Sequence, residues 1–142
     1  MAVNFNMKIL IVDDYHSMRR IIRNHLVQMN FHNFDEAPDG KIAIQKLSLE
    51  TFGLVIADWY MEPMNGLDLL KAVRANENIK NIPFVMVTAE TNPEKVIEAK
   101  KAGVSSYIVK PFNHTTLRTK LSHVLGESLE VDLLRGSLSA RS

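Results

Sequence analysis

The sequence contains no cysteine, which excludes disulfide bonds and thiolate metal sites. No apolar run approaches the roughly 18 residues of a membrane span, and the first residues, MAVNFNMK, lack the basic and apolar stretches of a signal peptide. Charges of opposite sign nearly balance, with 17 Lys and Arg against 16 Asp and Glu, so no global field attracts nucleic acid or a membrane surface. We therefore expect a cytoplasmic protein that binds neither DNA nor membranes.

The chain has the length and composition of one globular domain, with 142 residues, of which 46% are hydrophobic and 23% charged. Short apolar runs alternate with longer segments of helical period, a pattern typical of βα units that build a parallel sheet covered on both faces. Five such units are predicted, with strands near residues 7–12, 31–36, 53–58, 82–87 and 106–109.

The first predicted helix, residues 16–29, has apolar side chains at spacings of three and four, which indicate one buried stripe. The residues of this stripe are Met18, Ile21, Ile22, Leu26 and Met29. Three arginines, Arg19, Arg20 and Arg23, are then expected largely on the outer face.

Helix ends are also signalled in the second half of the chain. Asn92 is expected to cap a helix that begins at Pro93, and Gly103 to stop it. The last helix is predicted for residues 115–125, with Gly126 after it.

Polar side chains follow four of the apolar runs. Asp13 and Asp14 come after KILIV, Asp58 after LVIA, Thr88 after PFVMV and Lys110 after YIV. Since the carboxyl ends of parallel strands meet at one edge of a sheet, these side chains are expected in a single cleft. Three carboxylates suit a divalent cation such as Mg²⁺, and a carboxylate beside it can accept a phosphoryl group.

Four of these residues have a simpler interpretation when each is taken alone. Asp13 and Asp14 are also good caps for the following helix. Taken alone, Lys110 is more simply interpreted as a solvated lysine at a strand end, and Thr88 as a residue that merely ends a strand or opens a turn. The five histidines show no metal-ligand spacing and are expected to be exposed or partly packed: His16, His25, His32, His114 and His123.

Four stretches in this order, VDDYHSMRRIIRNHL, ADWYMEPMNGLDLLKAVRA, MVTAE and SYIVKPF, resemble receiver domains of two-component response regulators, most closely those of the CheY family of chemotaxis. The resemblance covers residues 7–125. It implies a flavodoxin-like, doubly wound (βα)5 fold of class α/β, with five parallel strands in the order 2-1-3-4-5.

The resemblance implies that Asp58 is the phosphoacceptor, charged by a phosphohistidine of a partner kinase. Asp14, Asp58 and the backbone carbonyl of Tyr60 would bind Mg²⁺, and Asp13 would act largely through water.

It further implies that Thr88, the backbone N–H of Ala89 and Lys110 hold the phosphoryl oxygens. Tyr107 would be the aromatic switch, turning inward as Thr88 moves toward the phosphoryl group. The Lys110–Pro111 bond would be cis.

Two departures from the family pattern lie beside the phosphoacceptor. Tyr60 stands where Asn is usual, and we expect its phenol to screen the attacking water and to change autodephosphorylation. The usual Met-Pro pair is replaced by Met61 and Glu62, with Pro63 one place later, which adds an acid at the rim of the cleft.

These features together predict a monomeric, single-domain response regulator, a signalling protein rather than an enzyme, although it would catalyse its own phosphoryl transfer and autodephosphorylation. Residues 1–126 would form the receiver domain, and residues 127–142 a tail that is mobile or a short extra helix. Expected partners are a chemotaxis-type histidine kinase, the flagellar motor switch protein and a phosphatase. The motor switch would read a surface formed by the fourth helix, fifth strand and fifth helix.

Three alternatives stay open at this point. The chain is also consistent with a phosphate sink or a regulator of a non-motor target. A flavodoxin-like nucleotide or flavin binder is disfavoured, because Asp-Asp-Tyr-His stands where a glycine-rich phosphate loop would follow the first strand. A constitutive interaction module with an idle acidic cleft is the third.

Overall fold

The computed structural model describes residues 3–126, which form a five-stranded parallel sheet with helices on both faces. The strands lie in the order β2-β1-β3-β4-β5, which confirms the predicted fold class. The predicted tail, residues 127–142, lies outside the described residues. The elements in chain order are β1 (Ile9–Val12), α1 (His16–Gln28), β2 (Phe34–Ala37), α2 (Gly40–Leu49), β3 (Leu54–Ala57), α3 (Gly66–Ala75), β4 (Phe84–Thr88), α4 (Pro93–Lys101), β5 (Ser106–Val109) and α5 (His114–Leu125).

The sheet divides the apolar interior into two clusters. Leu10 and Val12 of β1 belong to the cluster that includes residues of α2, α3 and α4. Ile9 and Ile11 belong to the opposite cluster, with residues of α1 and α5. Successive side chains of a strand point to opposite faces, so a strand covered on both sides is apolar throughout. This is why β1, β3 and β4 appear in the sequence as apolar runs, whereas the edge strand β2, with the sequence FDEA, is mostly half-buried. Within residues 3–126 no helix is both long and apolar enough to cross a bilayer.

The buried stripe of α1 is narrower than predicted. Ile22 and Leu26 are buried, but Ile21 is 45% exposed, so its predicted burial was wrong. Adjacent residues of a helix lie about 100° apart around its axis, and Ile22 already occupies the face toward the sheet.

The second strand begins later than predicted, at Phe34 rather than at residue 31. Asn30 adopts a positive φ of 75°, and the N–H of Phe31 donates to the carbonyl of Leu26 at 3.1 Å. Asn is one of the residues that tolerate this left-handed conformation at a helix end. Phe31 therefore still belongs to the turn that ends α1, although its ring is buried.

The predicted helix signals of the second half are confirmed. The Asn92 side chain accepts a hydrogen bond from the N–H of Glu94 at 2.9 Å, and Pro93 is the first residue of α4. Gly103 and Gly126 have positive φ values of 99° and 74°, which end α4 and α5 at little steric cost.

Gly66 brings the start of α3 against the end of β3. Its N–H donates to the carbonyl of Trp59 at 2.7 Å, and a Cβ at position 66 would lie 2.0 Å from the carbonyl oxygen of Asp58. The backbone that carries Asp58 is thus supported by a contact that only glycine permits.

Two histidines connect α1 and α5. The Nδ1 atoms of His25 and His114 lie 2.8 Å apart, and their rings stack with centroids 4.9 Å apart. Burial lowers the pKa of both rings; the pKa of His25 is lowered further by His114, and that of His114 by Arg118. The expectation of partly packed histidines holds for these two residues, but their pairing was not predicted.

Candidate functional site

The carboxyl ends of the inner strands place the predicted site residues at one edge of the sheet. β1 pairs with β3 in a register that joins Val12 to Ala57, so Asp13 and Asp58 follow directly at neighbouring strand ends. The N–H of Asp58 donates to the carbonyl of Val12 at 2.9 Å. The predicted convergence of these two acids is therefore a consequence of strand register.

Three carboxylates gather at this edge. One oxygen from each of Asp13, Asp14 and Asp58 lies within 4.8 Å of the others. Asp13 is 1% and Asp58 is 7% exposed, whereas Asp14 faces solvent. Buried carboxylates at this spacing repel one another unless a cation is present. Hard oxygen ligands around one point, with an open side for water, fit Mg²⁺.

Lys110 provides one positive charge inside this cluster. Its Nζ lies 2.9 Å from Asp13 Oδ2 and 3.3 Å from Asp58 Oδ2, and its side chain is only 15% exposed. The backbone N–H of Lys110 donates to the carbonyl of Thr88 at 2.8 Å. The interpretation of Lys110 as a solvated lysine is thus wrong, since its ammonium bridges the two buried acids. The Lys110–Pro111 bond is cis, as the resemblance implied.

The second oxygen of each buried acid is held by a backbone donor. Asp58 Oδ1 accepts from the N–H of Trp59 at 2.7 Å, and Asp13 Oδ1 from the N–H of Tyr15 at 2.9 Å. Among the described residues, no side chain caps the first turn of α1, whose N-cap is Tyr15. Asp13 and Asp14 are therefore not the caps that the simpler interpretation made them.

Thr88 and Tyr107 lie on the next two strands. Thr88 is fully buried, and its Oγ1 accepts from the N–H of Glu90 at 3.3 Å. The Tyr107 hydroxyl donates to the carbonyl of Glu90 at 2.9 Å, and its ring packs against the core. Burial raises the pKa of Tyr107 to about 12, so the phenol stays protonated and remains a donor. Ala89, between Thr88 and Glu90 in the sequence, is exposed just after the end of β4.

A contact that was not predicted joins the loop after β3 to the segment after β4. The Tyr60 hydroxyl donates to the carboxylate of Glu90, and Lys95 Nζ lies 4.0 Å from the same carboxylate. The Lys95 ammonium also lies 5.5 Å and 5.7 Å from the ring centroids of Trp59 and Tyr60. The hydrogen bond between Tyr60 and Glu90 raises the pKa of Tyr60 and lowers the pKa of Glu90. We call Tyr60, Glu90 and Lys95 the cleft bridge.

Beside the acidic cluster a cleft of about 610 Å³ opens to solvent. Glu62 is exposed on its wall, which confirms the predicted acid at the rim, and the Glu62–Pro63 bond is cis, a feature that was not predicted. The residues that line the cleft are Asp14, Tyr60, Met61, Glu62, Pro63 and Asn65. The role of the Tyr60 carbonyl as a metal ligand stays a prediction.

Arg19 is a further residue of the site that the sequence placed wrongly. It was expected on the outer face of α1, but its side chain is 14% exposed. Its Nη1 donates to the backbone carbonyl of Asp13 at 2.6 Å, and its Nε to Glu36 Oε1 at 2.9 Å. Helical periodicity alone does not reveal this, because a long side chain can fold back from a polar position to the end of a neighbouring strand.

The comparisons with known proteins agree with this geometry. Residues 9–122 match the model of the response regulator receiver domain. The chain is 50% identical over 122 residues to chemotaxis protein CheY-3 of Vibrio cholerae, covering 86% of this chain and 94% of that protein. It is 48% identical over 118 residues to chemotaxis protein CheY of Pseudomonas aeruginosa, covering 83% of this chain and 95% of that protein.

A solved structure of a relative has the same architecture. The structure of chemotaxis response regulator CheY4 of Vibrio cholerae superposes with a TM-score of 0.77 at 38% identity, covering 84% of this chain and 99% of that one. With a family model that spans most of its length, and an acidic edge built on the same fold, the chain belongs to the response regulator receiver domain family.

Proposed function

We propose that this chain is a single-domain response regulator of chemotaxis that accepts a phosphoryl group from a histidine kinase on Asp58. The observation that carries the proposal is the convergence of Asp13, Asp14 and Asp58 with Lys110 at one sheet edge. The likeness to named chemotaxis proteins over most of the chain supports the pathway. The protein would be a signalling component rather than an enzyme with a separate substrate, and its cytoplasmic location stays a prediction.

The proposed transfer uses Asp58 Oδ2 as the nucleophile. Asp58 Oδ1 is held by the N–H of Trp59, which fixes the carboxylate and leaves Oδ2 beside Lys110. As the new O–P bond forms, the N–P bond of the donor phosphohistidine breaks, and its electron pair stays on the imidazole nitrogen, which then takes a proton. In-line transfer of this kind depends mainly on positioning and on neutralising the phosphoryl oxygens.

This chain provides its own groups for that neutralisation. Lys110 would exchange its contact with Asp58 for one with a phosphoryl oxygen, and the Thr88 hydroxyl and Ala89 N–H would donate to the others. Asp14, Asp58 and the Tyr60 carbonyl would hold Mg²⁺, with Asp13 acting mainly through water. The bound ion would supply charge neutralisation for the oxygens on the opposite side.

The output would be read at the face formed by α4, β5 and α5. Ile97 of α4 is 51% exposed and Val109 of β5 is 41% exposed, so this face offers apolar contacts to a partner. Tyr107 lies on β5, two residues before Val109, and its hydroxyl donates to the backbone carbonyl of Glu90, just after β4. A shift of Thr88 toward a phosphoryl group would change the equilibrium between two conformations of this face. The flagellar motor switch protein is the proposed partner that binds it.

The proposal predicts that a small phosphoryl donor with Mg²⁺ labels this protein on Asp58. Mass spectrometry of the intact protein should show one added phosphoryl group, and the Asp58→Asn variant should show none. Asp68→Asn is the matched control, because Asp68 is an exposed acid on α3 that does not belong to the cluster. Equal labelling of the parent and Asp58→Asn proteins would refute the assignment.

A pull-down tests the proposed reader. The phosphorylated protein and its Asp58→Asn variant are each offered to the motor switch protein, and only the phosphorylated form should gain binding. Phosphorylation without gained binding would support a phosphate sink or a non-motor regulator instead.

A further inference from the structure

Arg19 joins the loop that carries the first two acids to the neighbouring strand. Its guanidinium donates to two acceptors at once: the backbone carbonyl of Asp13, 2.6 Å from Nη1, and Glu36 Oε1, 2.9 Å from Nε. A planar guanidinium holds two acceptors in a fixed relative position, which a single ammonium does not. Both contacts are largely shielded, since the Arg19 and Glu36 side chains are 14% and 28% exposed.

The loop between β1 and α1 is held by contacts of Asp13 rather than by a side-chain cap of the helix. The helix that follows it starts without a side-chain cap and without an acidic residue in its first turn. Asp13 is held instead through all four of its polar atoms. Its N–H donates to the Ala37 carbonyl at 3.1 Å, its two carboxylate oxygens accept from the Tyr15 N–H and from Lys110, and its carbonyl accepts from Arg19.

Glu36 anchors the guanidinium to the sheet. It lies on β2 opposite Ile11 of β1, one step before the strand end that leads to Asp13. Its second oxygen lies 3.5 Å from Nη1 of Arg23, which is 52% exposed. Both arginines therefore contact the carboxylate of Glu36, and Arg19 in addition contacts the backbone carbonyl of Asp13.

We propose that Arg19 is a positioning residue for the acidic cluster: by fixing the Asp13 carbonyl against β2, it sets the place of the Asp13 and Asp14 carboxylates at the metal site. This inference rests on the proposed Mg²⁺ site and adds to it a residue that touches neither the metal nor the phosphoryl group. Groups that orient metal ligands from behind commonly change metal affinity 10- to 100-fold when they are removed, so roughly tenfold is the expected effect.

The sign of the effect separates positioning from simple electrostatics. A guanidinium near three carboxylates opposes the approach of a cation, so removing its charge alone would tighten Mg²⁺ binding. Loss of positioning weakens binding instead. Arg19→Gln removes both the charge and the link between Glu36 and the Asp13 carbonyl. Arg23→Gln removes a charge that also contacts Glu36 but leaves that link in place.

The test is a Mg²⁺ titration of the full chain followed by the fluorescence of Trp59, the single tryptophan, which adjoins Asp58. We expect Arg19→Gln to raise the dissociation constant about tenfold and Arg23→Gln to leave it within about twofold, the scale of a weak surface pair. Circular dichroism confirms that each variant is folded. Arg19→Lys keeps the charge and most of the stem, and should fall between the parent and Arg19→Gln.

Hydrogen exchange of the Tyr15 amide gives a readout that needs no metal. This amide donates to Asp13 Oδ1, so it should exchange faster in Arg19→Gln than in the parent or in Arg23→Gln. A parent that binds no Mg²⁺ would overturn the proposed metal site, while the exchange comparison would still decide the role of Arg19. If Arg19→Gln matches Arg23→Gln in both measurements, or Arg19→Lys matches the parent, the positioning role is overturned.

Discussion

Tyr60 is the residue of the site that differs most from the family pattern, and its neighbours suggest what the difference does. Its hydroxyl donates to Glu90, which follows β4, and the Lys95 ammonium lies over its ring. We expect this cleft bridge to screen a phosphoryl group on Asp58 from an attacking water.

Replacing Tyr60 by Asn should shorten the lifetime of the phosphorylated protein. Opening the cleft to water is expected to speed dephosphorylation about tenfold, which equals about 1.4 kcal/mol in the barrier. The decay of label after removal of the donor measures this directly.

Tyr60→Phe serves as the control, because it keeps the ring and removes only the hydrogen bond to Glu90. A lifetime close to that of the parent would assign the screening to the ring, and a lifetime close to that of Tyr60→Asn would assign it to the bridge. Identical decay of the Asn variant and the parent would show that Tyr60 does not screen the water.

Residues at strand ends were predictable, and residues that act through long side chains were not. Asp13, Asp58 and Lys110 each follow an apolar run, so the topology of a parallel sheet brings them together. In the sequence, Arg19 and Glu90 cannot be distinguished from other polar residues at the protein surface. Their contacts depend on side-chain paths across the fold, which local periodicity does not encode.

At the scale of the helices, we expect the contact between α1 and α5 to depend on pH. The pKa of both His25 and His114 is lowered in the fold, mainly by burial, from the ordinary value of 6.5. The folded state therefore favours the neutral rings. Their contribution to stability is present above pH 6.5 and is lost as the pH falls through the lowered values. Arg118 of α5 lies near His114, and its charge lowers the pKa of His114 further.

Thermal unfolding at pH 8 and pH 5 measures this contribution. Between pH 8 and pH 5, the Tm of His114→Gln should fall by less than the Tm of the parent does. Both rings are partly exposed and screened by solvent, so the expected difference is only about 2 °C.

The matched control is His123→Gln, which removes an exposed histidine from the same helix. It should behave like the parent. A parental pH response in His114→Gln as well would contradict a role for the pair.

Element types were predicted correctly, but their ends and faces less so. The five units follow from apolar runs and turn residues, which are local signals. The late start of β2 depends on the left-handed turn at Asn30. The exposure of Ile21 depends on which of the two adjacent isoleucines of α1 faces the sheet. Both depend on how α1 docks, which is a tertiary property.

At the scale of the molecule, the fold confines three carboxylates that repel one another, and a bound cation should therefore stabilise the whole domain. At a Mg²⁺ concentration 100 times the dissociation constant, linkage predicts a gain of about 2.7 kcal/mol in the free energy of unfolding. For a domain of this size that corresponds to a rise in Tm of about 8 °C.

Calorimetry with Mg²⁺ and with NaCl of equal ionic strength checks this expectation. General screening acts in both solutions, whereas specific binding acts only with Mg²⁺. The same Tm in both would argue against a site at the acidic cluster.

The order of the strands was predicted through resemblance rather than from the runs themselves. Apolar runs indicate that strands are buried on both faces, but they do not say which strand is central. The order 2-1-3-4-5 places β1 and β3 side by side, and that adjacency makes Asp13 and Asp58 neighbours.

Glu90 binds Tyr60 through its side chain and Tyr107 through its backbone carbonyl. Mutation of position 90 changes the first contact, but any residue keeps a carbonyl for the second. Under the proposed function, a single substitution at position 90 would therefore change how long the phosphorylated form lasts and would leave the contact between Tyr107 and the backbone in place.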